Sequence, residues 1–153
     1  MRPPIVFILT AIFALLQVTL LDYFRIFGAK PDLLLIAVFF GCLFLKQKKA
    51  FALGIFSGLF KDIFSLNAFG LNTVLFPAGV ILIAKLMRRV SIEDNLSRIL
   101  LIFVVALLNN IISGLVLVYT GVYIPLGIFL RIIIFSSMYT AAVFYLTIRL
   151  TVK

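Results

Sequence analysis

Long apolar stretches alternate with short polar clusters along the chain. Six such stretches are apolar enough to be candidate membrane spans, and the first and the last two are the longest. An α-helix needs about 20 apolar residues to cross a hydrocarbon core, at a rise of about 1.5 Å per residue. The predicted spans are 4–21, 31–45, 50–66, 71–87, 99–119 and 125–148. The pattern therefore predicts an all-α integral membrane protein with six transmembrane helices.

The second and third spans are short, so a hairpin that turns inside the membrane is an alternative to two full crossings. Such a hairpin would place Lys46, Lys48 and Lys49 near the midplane. Each lysine would cost about 2.5 to 3.5 kcal/mol at that depth. Full crossings place the lysines in water, if the third helix continues past Lys61 and Asp62, with Lys61 snorkelling towards the interface.

The polar connections alternate between basic and neutral. The basic positions are Arg2, Lys46, Lys48, Lys49, Lys85, Arg88, Arg89, Arg98, Arg149 and Lys153. The connections between them have balanced charges, as in 22–32, or no cation, as in 120–124. Because basic loops stay in the cytoplasm, this alternation predicts that both termini are cytoplasmic. We expect one compact bundle, since the connections are short.

Composition supports the membrane assignment and excludes several functions. The chain is 65% hydrophobic and 12% charged, which exceeds the apolar content of soluble domains. Its net charge of +9 does not predict nucleic-acid binding, because the cations lie in short loops between apolar runs. Cys42 is the single cysteine and histidine is absent, so we expect no catalytic residues, no metal site and no cofactor.

Small residues repeat at helical spacing in the third span. Gly54, Gly58 and Asp62 follow each other at intervals of four and so share one face of the helix. Small residues at this spacing let helix backbones approach closely in lipid. Packing within the bundle is the favoured interpretation, and a seam for a partner helix is the alternative.

Asp62 also carries a charge within a predicted span, where an ionisable group usually has a partner or a water-filled cavity. Arg131 lies near the outer end of the last span and is a candidate partner. We predict a structural ion pair between Asp62 and Arg131 that links the third and sixth helices. Titration of Asp62 during transport is the less favoured alternative.

Amide side chains lie within other spans. Asn109 and Asn110 are near the middle of the fifth span, and Gln17 is in the first. Amides at membrane depth usually form hydrogen bonds between helices, which we expect for all three. Binding of a solute by Asn109 and Asn110 is the alternative, as in transporters.

Two motifs follow each other in the second and third spans. Pro31 and Asp32 are followed by two leucines. A Gly-xxx-Gly-Leu-xx-Asp-xx-Ser pattern with a later Gly-Leu is formed by Gly54, Gly58, Leu59, Asp62, Ser65, Gly70 and Leu71. Both motifs resemble those of the MreD family of rod shape-determining proteins. Lys61 directly before Asp62 departs from many relatives without removing a motif position.

The resemblance implies a noncatalytic subunit of the cell-elongation machinery in the bacterial inner membrane, where lateral peptidoglycan is made. The implied partners are MreC, the actin-like MreB, RodA and a class B penicillin-binding protein. We expect a scaffold that holds the single helix of MreC, with Gly54, Gly58, Asp62, Ser65 and Gly70 as candidates for partner binding or helix packing. A homo-oligomer is compatible with this interpretation.

Two other functions are left open. The family is similar in helix count and size to the substrate-binding subunits of vitamin importers, so a solute-binding membrane component is the main alternative. A vitamin pocket needs several convergent polar or aromatic groups, and the spans offer few. A membrane enzyme of lipid metabolism would need clustered acids or histidines, whereas the acids here are dispersed.

Overall fold

The computed structural model describes residues 3–19, 23, 29, 31–64, 69–89 and 94–151. These residues form six α-helices, one at each predicted span. The helices are α1 (Pro3–Thr19), α2 (Leu33–Phe44), α3 (Gln47–Ile63), α4 (Leu71–Arg89), α5 (Asn95–Tyr119) and α6 (Leu126–Thr151). Three of them, α4, α5 and α6, are long and apolar enough to cross a membrane. The expectation of an all-α protein with six helices is confirmed for the described part of the chain.

The shortest helix, α2, lies at the centre of the bundle and contacts each of the other five. Residues 34–41 are all buried, so α2 is apolar around its whole circumference. Its rings Phe39 and Phe40 pack against Phe144 of α6, with ring centroids 4.8 and 5.2 Å apart. Burial of the apolar surface of α2 therefore stabilises the packing of the other five helices around it.

The 12 residues of α2 form a helix only about 18 Å long, which is shorter than a hydrocarbon core of about 30 Å. Non-helical backbone at membrane depth is tolerated only where protein surrounds it and satisfies its polar groups. Pro31 and Asp32, which precede α2, are both buried by the protein. The surrounding helices thus give α2 the shielding that a short central helix needs.

The remaining helices form two antiparallel hairpins and one separate helix. The α3–α4 pair and the α5–α6 pair make the most extensive contacts, and α1 packs on α2 and α3. Gly70 directly precedes α4 and has a φ of +91°, a left-handed conformation that glycine adopts without strain. Its carbonyl accepts the first hydrogen bond of the helix, from the N–H of Val74 at 3.3 Å.

Candidate functional site: two carboxylates at helix N-termini

Asp62, near the end of α3, binds the N-terminus of α4. Its Oδ1 accepts hydrogen bonds from the backbone N–H and the side-chain amide of Asn72, at 3.0 and 2.9 Å. Its Oδ2 accepts from the backbone N–H and the hydroxyl of Thr73, at 2.8 and 2.6 Å. The first turn of a helix carries unpaired N–H groups and a partial positive charge. Asp62 satisfies both, so it is an N-cap supplied by the preceding helix.

The glycines one and two turns before Asp62 bring α4 close enough for this capping. A Cβ atom built on Gly58 would lie 2.3 Å from the carbonyl oxygen of Asn72. One built on Gly54 would lie 3.1 Å from Cγ2 of Val80 and 3.2 Å from the backbone nitrogen of Pro77. Side chains at these positions would push the two backbones apart.

The contacts at Gly54 and Gly58 are those of packing within the bundle. Because α4 fills this face, it leaves no groove for the helix of another protein, and the interpretation as a partner seam is wrong for these two glycines. Gly70 contributes its backbone conformation, and a Cβ on it would meet no atom within 4 Å. Ser65, the remaining candidate in this group, lies outside the described residues.

The predicted ion pair between Asp62 and Arg131 is not formed. Both oxygens of Asp62 are occupied by Asn72 and Thr73, while Arg131 is exposed on α6. Within the described residues, α3 and α6 are not in contact. The prediction failed because it sought a charged partner for Asp62, whereas backbone N–H groups of a helix N-terminus stabilise the carboxylate instead.

The second carboxylate, Asp32, caps its own helix and joins it to α1 and α6. Its Oδ1 accepts from the N–H of Leu35 at 3.1 Å and from the side-chain amide of Gln17 at 3.4 Å. The carbonyl oxygen of the Gln17 side chain accepts from the N–H of Leu34 at 3.0 Å. The N–H of Asp32 donates to the hydroxyl of Thr140 on α6 at 3.0 Å. The expected interhelical role of Gln17 is confirmed.

Lys61 completes this cluster from α3. Its ammonium group forms an ion pair with Oδ2 of Asp32 and lies 4.9 Å from the ring centroid of Phe76 on α4. Sequence reasoning missed the pair and expected Lys61 to snorkel. One sequence feature could have indicated the pair. Lys61 and Asp62 are consecutive residues of a helix, so their side chains point in different directions and reach different neighbouring helices.

The amides of α5 have different environments. Asn110 donates to the hydroxyl of Ser137 on α6 at 3.1 Å, so the predicted interhelical bond is confirmed for this residue. Asn109 is buried and lines a small cavity among apolar side chains of α2, α4 and α5. The cavity volume is about 130 Å³.

A second cleft of about 240 Å³ lies between α5 and α6, near the turn that joins them. Its lining includes Asn110, Ser113 and Phe129, together with the backbone of Gly114. The hydroxyl oxygen of Ser113 is buried and has no hydrogen-bond partner among the described residues. We call this feature the α5–α6 cleft.

The arrangement holds helices together. Asp32 and Asp62 lie at the same end of the bundle, and each accepts hydrogen bonds from a helix N-terminus and from side chains of neighbouring helices. Asp32 also pairs with Lys61. In the part of the chain that the structure describes, no group of three or more acidic, cysteine or histidine side chains could hold a metal ion. The chemistry supported here is therefore positioning of helices.

Comparison with known proteins agrees with the motif resemblance. The family model described as rod shape-determining protein MreD matches residues 2–153. Neither the curated proteins nor the solved structures contain a significant match. The match extends over essentially the whole chain, including α5 and α6, where the motif residues are absent. The chain therefore belongs to the MreD family of rod shape-determining proteins.

Proposed function

We propose that this rod shape-determining membrane protein is a noncatalytic scaffold of the cell-elongation machinery, which holds an MreC-like protein in the bacterial inner membrane. The family match over residues 2–153 is the observation that carries the proposal. MreB, RodA and a class B penicillin-binding protein would be further members of the assembly. Catalysis would belong to those partners.

The bonding of the polar side chains supports a scaffold. Asp62 fixes α4 against α3, and the cluster of Asp32, Gln17, Lys61 and Thr140 joins α1, α2, α3 and α6. Polar groups inside a membrane are costly, so they are retained where they bind one another or serve a pathway. Here the two carboxylates, Gln17 and Lys61 bind one another or helix N-termini, which favours a rigid support over a transport pathway.

All six helices, in this proposal, cross the membrane and place both termini in the cytoplasm. Arg88 at the end of α4 donates to the side-chain oxygen of Gln47 at the start of α3, at 2.7 Å. The basic residues of the α2–α3 turn and of α4 therefore share one end of the bundle. The turn between α5 and α6 carries no cation and lies at the opposite end. The positive-inside rule then favours one orientation.

The α5–α6 cleft is our candidate seat for the helix of the MreC-like partner. The small-residue face of α3 is filled by α4, so the partner needs an outward surface. In the α5–α6 cleft, the hydroxyl of Ser113, which has no partner among the described residues, offers a hydrogen bond. The adjacent Gly114 is already covered by the ring of Phe129, whose Cε2 would lie 2.3 Å from a Cβ at this position, so Ser113 is the residue that carries the assignment. Hydroxyl-bearing side chains form hydrogen bonds between helices in lipid.

Co-purification in detergent with an MreC-like protein tests this proposal. Ser113→Leu should fill the α5–α6 cleft and lower the recovered partner by about tenfold, as expected when a contact worth about 1.4 kcal/mol is lost. Ser97→Leu, the same change near the other end of α5, is the matched control and should keep the complex. Folding of each variant is checked by circular dichroism.

The two possible failures have different meanings. Full recovery of the partner by Ser113→Leu would contradict the α5–α6 cleft as the seat. Failure of the unmodified protein to bind any MreC-like protein would contradict the scaffold function itself.

Solute binding, as in vitamin importers, is the weaker candidate. The cavity at Asn109 and the α5–α6 cleft have volumes of about 130 and 240 Å³. Sites for small molecules usually enclose about 300 to 1,000 Å³ and present several convergent polar groups. Recovery of a stoichiometric vitamin from the purified protein would reverse this ranking.

A further inference from the structure

One end of the bundle carries a dense set of basic side chains, which we call the cationic rim. The cationic rim comprises Lys46, Lys48, Lys49, Lys85, Arg88, Arg89, Arg98 and Arg149. Of the acidic residues that the structure describes, Asp32 and Asp62 lie at the opposite end, and Asp94 alone lies close to the cationic rim. Within the part of the chain that the structure describes, most of this positive charge therefore has no counter-charge.

The local structure brings these charges closer together. Lys46, Lys48 and Lys49 are exposed around the start of α3, where no acidic residue and no side-chain cap offsets the positive end of the helix. The bond from Arg88 to Gln47 holds the end of α4 beside the start of α3. On α5, the Nε atom of Arg98 is buried and has no hydrogen-bond partner among the described residues. The neighbouring cations repel one another, and an external anion bound between them would reduce this repulsion.

Exposed apolar side chains adjoin the cationic rim. Phe51 follows Lys49 on α3, and Leu82 lies one turn before Lys85 on α4. On α5, Leu100 is 56% exposed and lies two residues after Arg98, whose Nε atom is buried. The molecule thus presents positive charge directly beside surface that suits acyl chains.

We propose that the cationic rim binds acidic phospholipids of the cytoplasmic leaflet in preference to zwitterionic ones. A phosphodiester headgroup would contact the lysines and arginines, while its acyl chains would lie along the exposed side chains of α3, α4 and α5. Basic clusters at the cytoplasmic ends of membrane helices attract anionic lipids by about 1 kcal/mol per Lys or Arg. This inference goes beyond the proposed scaffold function and requires no protein partner.

A lipid is favoured as the occupant because the cations lie at the ends of apolar helices, beside side chains that need a hydrocarbon environment. An acidic soluble protein would compensate the charge and leave those apolar side chains uncovered. The α2–α3 connection is also short, with only Leu45 and Lys46 between the two helices. The lysines therefore stay close to the headgroup layer.

Native mass spectrometry of the purified protein in detergent tests the proposal. The protein is titrated with phosphatidylglycerol or with phosphatidylcholine, and bound lipid is counted. We expect preferential retention of phosphatidylglycerol. Replacing Lys46, Lys48 and Lys49 together by glutamine should weaken its binding by about a hundredfold, whereas arginine at the same three positions should preserve it.

Arg131→Gln is the control, because Arg131 is an exposed cation near the other end of the bundle. It should leave the lipid preference unchanged. Equal retention of both lipids, or unchanged binding by the glutamine variant, would overturn the proposal. Displacement of phosphatidylglycerol by millimolar inorganic phosphate would also overturn it, since the site would then recognise a free anion. The glutamine variant retains Ser113, so its complex with an MreC-like protein is expected to persist whichever result is obtained.

Discussion

At the scale of single residues, the two buried carboxylates stabilise helix N-termini in different ways. Asp32 caps the helix that follows it directly, which is the usual local arrangement. Asp62 caps α4 from the end of α3, across the connection between the two helices. Both avoid the cost of a buried charge by accepting several hydrogen bonds. Each carboxylate is therefore a structural anchor.

Replacing Asp62 tests its role as an anchor. Asp62→Ala leaves buried donors of Asn72 and Thr73 without a partner, so we expect a loss of about 2 kcal/mol or more in the free energy of unfolding. Asp62→Asn keeps one acceptor oxygen and should lose less. Unfolding by sodium dodecyl sulfate in mixed micelles, followed by circular dichroism, measures the difference.

Arg131 supplies the control for this experiment. Because Arg131 does not contact Asp62, Arg131→Ala should have a small effect, and the double variant should be additive within about 0.5 kcal/mol. A coupling energy well above 1 kcal/mol would mean that the two charges interact after all.

At the scale of helices, the α3–α4 hairpin depends on close approach of two backbones. Gly58 lies against the backbone of Asn72, and Gly54 lies against Pro77 and Val80. Pro77 lies on α4 next to Gly54 and has no backbone N–H, so no hydrogen-bond donor of this residue is buried in the tight contact. Gly54 and Gly58 allow a short distance between α3 and α4. The hydrogen bonds from the start of α4 to Asp62 require this short distance, so the glycines and Asp62 act together.

A series of Gly→Ala variants tests this interface. Gly58→Ala should destabilise the protein strongly, because its Cβ would overlap rigid backbone atoms of Asn72. We expect a cost of about 1 to 3 kcal/mol from overpacking. Gly54→Ala should cost less, because the nearest atom is a methyl group of Val80 at 3.1 Å.

The matched control is Gly127→Ala on α6, where a Cβ would meet no atom within 4 Å. Alanine favours a helix over glycine by up to about 1 kcal/mol, so this variant should be neutral or slightly more stable. Thermal unfolding in detergent ranks the three variants. Equal stability of Gly58→Ala and Gly127→Ala would contradict the contact between α3 and α4.

At the scale of the whole molecule, a short apolar helix is enclosed by five others. The exposed side chains of α1, α4, α5 and α6 are largely apolar, as expected of surfaces that face lipid. The cationic rim occupies one end of the bundle, and the capping carboxylates with the neutral α5–α6 turn occupy the other. This polarity predicts the orientation of the bundle in the membrane.

Cysteine labelling in intact cells tests that orientation. In a Cys42→Ser background, Tyr123→Cys should react with a membrane-impermeant maleimide, because Tyr123 is 90% exposed in the α5–α6 turn. Lys48→Cys in the cationic rim should react only after the cells are permeabilised. Labelling of Lys48→Cys in intact cells would contradict cytoplasmic termini and the assignment of the cationic rim to the inner leaflet.

The sequence by itself determined the number of helices, their approximate bounds and the family. These properties follow from local information, since apolar runs must avoid water and the motif residues lie in order within residues 31–71. It also showed which positions are small or polar, such as Gly58, Asp62 and Gln17. The contacts of these residues could be identified only from the tertiary structure. Sequence periodicity shows which face of a helix a residue occupies, but it does not show which other helix packs against that face.

The failed ion pair illustrates that limit. Charge alone favoured Arg131 as the partner of Asp62, but the fold places the N-terminus of α4 there and brings Lys61 to Asp32. Likewise, the length of 31–45 suggested a marginal membrane span, and only the tertiary structure revealed a central helix shielded on all sides. The sequence shows which segments avoid water and which residues share a helix face, whereas the packing of the other five helices around α2 decides which residues are in contact.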